Sequence, residues 1–218
     1  MSTPATRPLR RDAERNRRRI LEAAAEAFAQ RGLGVTMDDI AEHAGVGVGT
    51  VYRRFPQKEL LIEALFEERV AELVGMAEEA LEEDDPWQAL LGFTERAQAL
   101  QARDRGLKEL LLSTAHGRER IASVRERLSP IVEQLVRRSQ ASGQLRPDVE
   151  VTDFPLIQIM LGAVVDVTRD VAPDTWRRTL AIIADGLRAG DHNTPLPAPA
   201  LDPQQVDHTM RSWRPSPC

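Results

Sequence analysis

The chain has 218 residues and a formal net charge of −5, with 29 Lys and Arg against 34 Asp and Glu. This length allows a small domain and a second domain of ordinary size. The single cysteine, Cys218, excludes internal disulfides and a thiolate metal site. The longest apolar run, residues 156–165, is far shorter than the roughly 18 residues of a membrane span. The first nineteen residues carry seven arginines and no apolar run. We therefore expect a cytoplasmic protein with no membrane partner.

The charge is unevenly distributed along the chain. Residues 1–58 hold eleven Arg and Lys against seven Asp and Glu, a net of +4, which leaves a net of −9 for the rest. A basic head on an acidic body is typical of a chain that contacts phosphates at one end.

Residues 1–11 are polar and contain two prolines, which predicts a flexible basic arm. A helix is expected over residues 12–31, with Gly32 at its C′ position. Its buried stripe comprises Ile20, Ala24, Ala27 and Phe28. Its first turns carry Arg15, Arg17, Arg18 and Arg19. Such a cluster is either a solvated face or a set of contacts to phosphates or the minor groove.

Two short helices joined by a glycine turn are predicted over residues 36–58. Thr36 and Asp39 have the spacing of a capping box, so the first helix should begin at Met37. Its apolar face comprises Met37, Ile40, Ala41 and Ala44. Gly45 tolerates the positive φ of a turn. The second helix repeats the apolar spacing with Val48, Val51, Tyr52 and Phe55, and Pro56 ends it.

A helix, a glycine turn and a second helix form the helix-turn-helix pattern, whose second helix enters the major groove of DNA. Any pair of small core helices would share this periodicity. The side chains around the second helix favour DNA binding because several of them can donate to phosphates. These donors are Thr50, Tyr52, Arg53, Arg54 and Lys58.

The segment from Ile20 to Leu65 resembles the DNA-binding domain of the TetR family of bacterial transcriptional regulators. The matching positions are Ile20, Ala24, Phe28, Gly32, Thr36, Ile40, Ala41, Ala44, Gly45, Val46, Thr50, Tyr52, Phe55 and Lys58. So many matches at fixed spacing are far more specific than a short motif. Over the rest of the chain the resemblance is looser.

The resemblance implies a role for each residue of the DNA-binding surface. The phosphate contacts would be Thr36, Thr50, Tyr52 and Lys58. The base-facing residues would be Val48, Gly49 and Arg53. Gly47 stands where the family often has a serine cap, and Val48 stands where it often has a polar residue. Valine can read only a thymine methyl, so direct readout is expected from Arg53 and Arg54.

The rest of the chain also shows helical periodicity and no strand alternation. Helices are predicted over residues 58–82, 87–102, 106–115, 119–141, 153–171 and 174–187. Pro130 should kink the fourth of these, and Gly143 should end it. The tail, residues 191–218, is rich in proline and is expected to be disordered.

The predicted fold is therefore all-α. A three-helix DNA-binding domain is expected over residues 12–57, and a helical ligand-binding and dimerisation domain over residues 58–190. The helix expected over residues 153–171 is apolar almost all round, which predicts packing on its own domain and on a second subunit. The expected dimer contacts are Leu156, Met160, Val164, Val167, Trp176, Leu180, Ile183 and Leu187.

A ligand pocket in the second domain should be mainly apolar, because few polar residues occupy apolar positions there. The candidate ligand contacts are Trp87, Phe93, Leu111, His116, Gln158 and Met160. His116 could equally be a capping or solvated histidine. The four histidines are scattered, which argues against a metal site or a catalytic triad, so neither an enzyme nor a bound cofactor is expected.

These observations favour a transcriptional regulator that acts as a homodimer. It would be a repressor that leaves a palindromic operator when a small, largely apolar effector binds the second domain. The alternative is a small-molecule-binding or scaffold protein that no longer recognises a specific operator. The main support for the alternative is Gly47, Val48 and Gly49, which offer the bases no polar side chain.

Overall fold

The computed structural model describes residues 6–103, 117–191 and 193–212. Regular structure in these ranges is helical apart from one isolated bridge between Leu145 and Arg188, which confirms the all-α prediction. The helices are α1 (Thr6–Arg31), α2 (Met37–Ala44), α3 (Val48–Arg54), α4 (Lys58–Leu81), α5 (Pro86–Arg103), α6 (Gly117–Ala141), α7 (Asp153–Thr168), α8 (Thr175–Leu187) and α9 (Pro203–Ser212). The helix predicted over residues 106–115 lies outside the described residues.

The chain divides into two compact units, with the boundary inside α4 between Val70 and Ala71. The first unit contains α1, α2, α3 and the first part of α4. Its core holds the completely buried side chains Ile20, Ala24, Ile40, Ala41, Val51 and Leu61. The second unit contains the rest of α4 and α5 to α9. Its core has two apolar clusters, one around Leu135 and Leu145 and the other around Leu161.

The capping box predicted at the start of α2 is present. The amide of Thr36 donates to Asp39 Oδ2 at 2.9 Å, and the amide of Asp39 donates to Thr36 Oγ1 at 3.2 Å. At the other end Gly45 has φ of +62°, and its amide donates to the carbonyls of Ala41 and Glu42. These contacts confirm the predicted start and end of α2, and they set the direction in which the chain enters α3.

Two helix bounds differ from the sequence predictions by three residues or more, and one helix lies in a segment that was predicted to be disordered. α1 begins at Thr6, so residues 6–11 are helical and do not belong to an arm. The helix expected over residues 153–171 ends at Thr168. The tail contains α9, although its proline content predicted disorder.

The helix in the tail has a physical cause that proline counting misses. Pro203 is its first residue, a position where proline is favoured because no amide partner is required there. Asp202 and Gln205 form a reciprocal capping box: the Asp202 amide donates to Gln205 Oε1 at 2.9 Å, and the Gln205 amide donates to Asp202 Oδ1 at 2.8 Å. Val206 is buried, which anchors the helix.

Arg146 organises the loop that precedes α7. Its side chain is almost fully buried and donates to both carboxylate oxygens of Asp148, at 2.6 and 2.8 Å. It also donates to the carbonyls of Thr194 and Gly186, at 2.6 and 3.4 Å. The hydrogen bonds from Arg146 to the carboxylate hold the pKa of Asp148 below its ordinary value. One guanidinium thus joins this loop to the end of α8 and to the segment that follows it.

The capping box at α2 predicts a pH-dependent contribution to stability. The Thr36 hydroxyl and amide both donate to the Asp39 carboxylate, which lowers the pKa of Asp39 in the folded state. A lowered folded-state pKa gives stability that is present above the unfolded pKa of about 4 and is lost as the pH falls through the folded value. Asp39→Ala should therefore destabilise the protein at pH 7, and the difference from wild type should shrink below about pH 4.

Urea unfolding of both proteins between pH 7 and 2 measures this difference. Asp38→Ala removes a carboxylate from the same first turn and leaves the capping box intact, so it is the control. A loss of stability at Asp39→Ala that is constant across this pH range would contradict the prediction.

Candidate nucleic-acid interface

One face of α3 is buried and the other is open to solvent. Val51 and Phe55 are buried in the core of the first unit. Val48 and Tyr52 are 41% and 46% exposed, although the sequence pattern placed them on the same apolar stripe. Since Gly49 and Arg53 are exposed beside them, the outward face of α3 presents a mixed apolar and cationic surface.

Two glycines on this face are not required by the backbone. Gly47, the N-cap of α3, has φ of −64°, and a Cβ added to it would meet only Thr50 Oγ1, at 3.9 Å. A Cβ added to Gly49 would meet no atom within 4 Å. Glycine inside a helix costs roughly 0.5–1 kcal/mol relative to alanine. Gly49 thus lowers the stability of α3, and it leaves this part of the helix surface open to close approach by another molecule.

The two arginines of α3 are held by contacts that a DNA ligand could replace. Arg53 donates from Nε to the Gly49 carbonyl at 3.1 Å and from Nη2 to Thr50 Oγ1 at 3.2 Å. Arg54 pairs with Glu14 of α1, with 3.5 Å between Nη2 and Oε2. Exposed pairs of this kind contribute little stability, typically about 0–1 kcal/mol. Both guanidinium groups can therefore turn toward a nucleic acid at small cost.

Thr36 and Lys58 have different surroundings. The Thr36 hydroxyl donates to Asp39 Oδ2 at 2.6 Å and accepts from the Asp39 amide, so a phosphate would compete with the capping box for its proton. The ammonium group of Lys58 lies 5.7 Å from the centroid of the Phe28 ring, a cation–π contact, at the first residue of α4. The charged end of Lys58 therefore lies against a ring of the core of the first unit.

Three arginines of the α1 cluster form ion pairs within the first unit. Arg15 pairs with Asp12 at 2.6 Å, Arg17 with Glu68 at 3.5 Å and Arg18 with Glu22 at 2.9 Å. Each of these three guanidinium groups thus has a carboxylate beside it. This arrangement favours the interpretation of the cluster as a solvated face over the one in which it contacts phosphates.

Arg19 has a positioning role that the sequence analysis missed. Its Nη2 donates to the carbonyl of Ala44 at 2.9 Å, and a Cβ added to Gly45 would lie 3.2 Å from the same atom. The last carbonyls of a helix have no partner within that helix and favour a nearby cation. Arg19 of α1 thus fixes the end of α2 and the turn into α3. No local spacing indicates a contact across 25 residues.

Comparison with known proteins places this geometry in a family. The family profile described as "Bacterial regulatory proteins, tetR family" matches residues 20–65, and the profile "Transcriptional regulator SbtR-like, C-terminal domain" matches residues 85–189. The HTH-type transcriptional regulator TtgR of Pseudomonas putida is 31% identical over 156 residues, which are 64% of this chain and 74% of that protein. The crystal structure of a TetR transcription regulatory protein from Mycobacterium vanbaalenii is similar to this chain, with 35% sequence identity. It has a TM-score of 0.64, and the match covers 84% of this chain and 100% of that one.

This chain belongs to the TetR family. It is therefore a helix-turn-helix transcriptional regulator, as the resemblance of residues 20–65 implied. A second TetR regulator, from Streptomyces coelicolor, is 30% identical with a TM-score of 0.56, and the match covers 79% of this chain and 98% of that one. The described part of the chain contains no helix long and apolar enough to cross a membrane.

The candidate ligand contacts of this TetR-family chain are not all in one place. Trp87 and Phe93 are buried in the core of the second unit, and the guanidinium of Arg188 lies 4.7 Å from the centroid of the Trp87 ring. Met160 is half-exposed on α7. Gln158 is half-buried and contacts α5. Leu111 and His116 lie outside the described residues.

The candidate dimer contacts divide between the core and the surface of the described subunit. Trp176 and Leu180 are buried in the core of their own subunit, packed with residues of α7. Three more contacts pack partly against the two clusters of that core: Val164, Ile183 and Leu187. Leu156 is half-buried, while Met160 and Val167 are exposed. α8 exposes a large apolar side chain at Ile182, which the sequence analysis did not name.

The physical reason for this division is that α8 has one main apolar stripe. A stripe that packs against α7 of the same chain is no longer available to a partner. Ile182 lies off that stripe, so a search for periodic apolar residues passes over it.

The glycines of α3 give a prediction about DNA binding. Gly49→Ala should leave the unfolding temperature unchanged or raise it, because alanine favours a helix by roughly 0.5–1 kcal/mol and the added methyl meets no atom. The same methyl should lower DNA affinity at least about tenfold if bases or sugars pack against α3, because overpacking costs about 1–3 kcal/mol. Fluorescence anisotropy with a DNA duplex selected by the protein measures this effect.

Gly92→Ala is the matched control, since Gly92 also lies inside a helix with no atom within 4 Å of an added Cβ. It should stabilise the protein similarly and leave DNA affinity unchanged. Equal DNA affinities for the two variants would show that α3 does not approach DNA through this face.

Proposed function

We propose that this TetR-family regulator is a repressor that binds a palindromic DNA operator as a homodimer. It leaves the operator when a small, largely apolar ligand occupies the second unit. The observation that carries the proposal is the outward face of α3. Its exposed residues are the apolar Val48, the aromatic Tyr52, the cationic Arg53 and Gly49, which has no side chain. On the opposite side of the helix, Val51 is buried in the core.

The residues of this face divide by their chemistry into two kinds of contact. Arg53 can donate to guanine O6 and N7 and thereby choose between base pairs. Val48 can contact a thymine methyl, and the absence of a side chain at Gly49 permits close approach. The donors Thr50, Tyr52 and Lys58 suit phosphates, whose contacts fix register and carry no sequence information. Gly47, at the N-cap of α3, exposes its backbone beside them.

The homodimer is supported by an apolar surface on the second unit. Met160 and Val167 on α7 are 50% and 76% exposed, and Ile182 on α8 is 62% exposed. Met160 and Val167 are seven residues apart and thus share one face of α7. We infer that these exposed residues belong to one contact site, because a two-fold axis beside them would bring α7 and α8 of two subunits into a four-helix interface.

Control by a ligand is supported by the course of α4. Its first residue, Lys58, follows the end of α3 in the first unit, and its later residues Leu73 and Ala77 are buried in the core of the second unit. A ligand that binds one arrangement of the second unit better than another can bias α4. A coupling free energy of about 1–3 kcal/mol already changes DNA affinity about 5- to 150-fold.

The alternative, a binding or scaffold protein without a specific operator, predicts no palindrome. The exposed Arg53 favours the regulator with an operator, because its guanidinium can donate to guanine O6 and N7 in the major groove.

The dimer is tested by placing a charge on the exposed apolar surface. Met160→Glu and Ile182→Glu should each give a monomer at micromolar concentration, because burying a carboxylate without a partner in the interface costs several kcal/mol. Since both side chains are at least half exposed in a single subunit, the variants should unfold at nearly the wild-type temperature. Sedimentation measures assembly, and circular dichroism follows unfolding.

Leu196→Glu, at an exposed apolar position outside α7 and α8, is the control and should remain a dimer. A wild-type monomer at micromolar concentration, or dimers that survive both substitutions on α7 and α8, would contradict the proposed interface.

A further inference from the structure

One glutamine in the second unit is buried without any polar partner. Gln98 of α5 is 0% exposed, and neither its Oε1 nor its Nε2 has a hydrogen-bond partner among the described residues. More than about nine in ten buried polar groups are paired in folded proteins, so such an exception requires an explanation. A carboxamide offers two donor hydrogens and an acceptor, and here all of them are unused.

A second glutamine lies beside the same turn of α5. Gln158 of α7 donates from Nε2 to the carbonyl of Thr94 at 3.2 Å. The atom that faces a carbonyl must be the donor, so the remaining atom of this amide is the acceptor Oε1. That oxygen is buried and has no partner among the described residues. Thr94 precedes Gln98 by about one helical turn, so Gln158 contacts α5 within one turn of Gln98.

Thr94 is not the missing partner for either glutamine. Its side chain is buried, and its hydroxyl donates to the Leu90 carbonyl at 2.8 Å. The Thr94 backbone carbonyl accepts from Gln158 Nε2 and, as part of the helix, from the backbone amide of Gln98. The unused hydrogen-bonding atoms therefore belong to Gln98 and to Gln158 Oε1.

The surroundings of these amides are apolar. Leu91, Ala99 and Ala102 of α5 pack against the cluster formed by Ile157, Leu161 and Val165 of α7 together with residues of α8. The buried charged residue described in this unit, Arg146, is already paired with Asp148. Among the described residues a charged ligand would have no buried counter-ion here, and burying its charge unpaired would be strongly unfavourable.

We propose that Gln98 and Gln158 are the polar anchor of a ligand site between α5 and α7. The site takes an uncharged, mainly apolar molecule that carries an N–H and a C=O side by side, as a lactam does. The Gln98 amide forms two parallel hydrogen bonds with such a group, and Gln158 Oε1 accepts from a further donor. This inference rests on the proposed ligand-controlled repressor and names the class of its ligand.

The probe is carbostyril, an aromatic bicyclic lactam, compared with its N-methyl derivative, which keeps the carbonyl but carries a methyl in place of the N–H hydrogen. Calorimetry on the full-length wild-type protein should give at least about tenfold tighter binding for carbostyril, because the derivative cannot donate to Gln98 Oε1 and leaves that buried oxygen without a partner. Equal affinities, or no binding of carbostyril at millimolar concentration, would overturn the proposal.

Gln98→Met separates a ligand anchor from a structural glutamine. Methionine has a similar length and no hydrogen-bonding amide, so the unliganded variant should unfold at least about 2 °C above wild type, since the unpaired polar group is removed. The same variant should lose the tenfold preference for carbostyril. Gln88→Met, at an exposed position on α5, is the control and should change neither quantity. An unfolding temperature several degrees below wild type would show that Gln98 supports the core, and would overturn the proposal.

DNA binding distinguishes this inference from the function on which it rests. If carbostyril shows the expected preference and leaves DNA affinity unchanged, the amide site stands and ligand control of DNA fails. If another compound releases DNA from the wild type and from Gln98→Met at the same concentration, ligand control stands and the Gln98 anchor is wrong.

Discussion

The burial of Val51 fixes the orientation on which DNA binding depends. A helix of seven residues is too short to be stable alone, so α3 exists because its inner face packs on α1 and α2. With Val51 completely buried, the residues on the opposite side of the helix must face solvent. The left-handed turn at Gly45 and the hydrogen bond from Arg19 to the Ala44 carbonyl then set where that face points.

The same rule, that a surface can be buried only once, organises the second unit. The main stripe of α8 packs against α7 within one subunit, while Met160, Val167 and Ile182 stay exposed and form the surface that we propose for a partner. Inside the unit the unmatched groups are polar. The buried side-chain amides of Gln98 and Gln158 have lost their hydrogen bonds to water without gaining a full set of protein partners among the described residues. An exposed apolar surface and an unpaired buried amide both indicate a contact with another molecule.

Local sequence chemistry predicted the features whose partners are close in the chain. The α2 capping box needs residues three apart, and the Gly45 turn needs one residue, so both could be read directly. The contact between Arg19 and Ala44 depends on packing across 25 residues, which a local pattern does not contain. Val48 and Tyr52 fitted an apolar stripe yet lie on the exposed face, since spacing alone does not say which apolar residues a short helix buries. Gln98 could have been found, because it falls on the face of α5 that carries Leu90 and Thr94.

We propose that the outward face of α3 reads a specific DNA sequence for a two-fold dimer. The most direct measurement is to select fragments from a random DNA pool with the purified full-length protein and to sequence them. We expect enrichment of one palindrome whose half-sites lie about one DNA turn or more apart. Recovery of all sequences with equal frequency would contradict it and would favour a protein that has lost specific operator recognition.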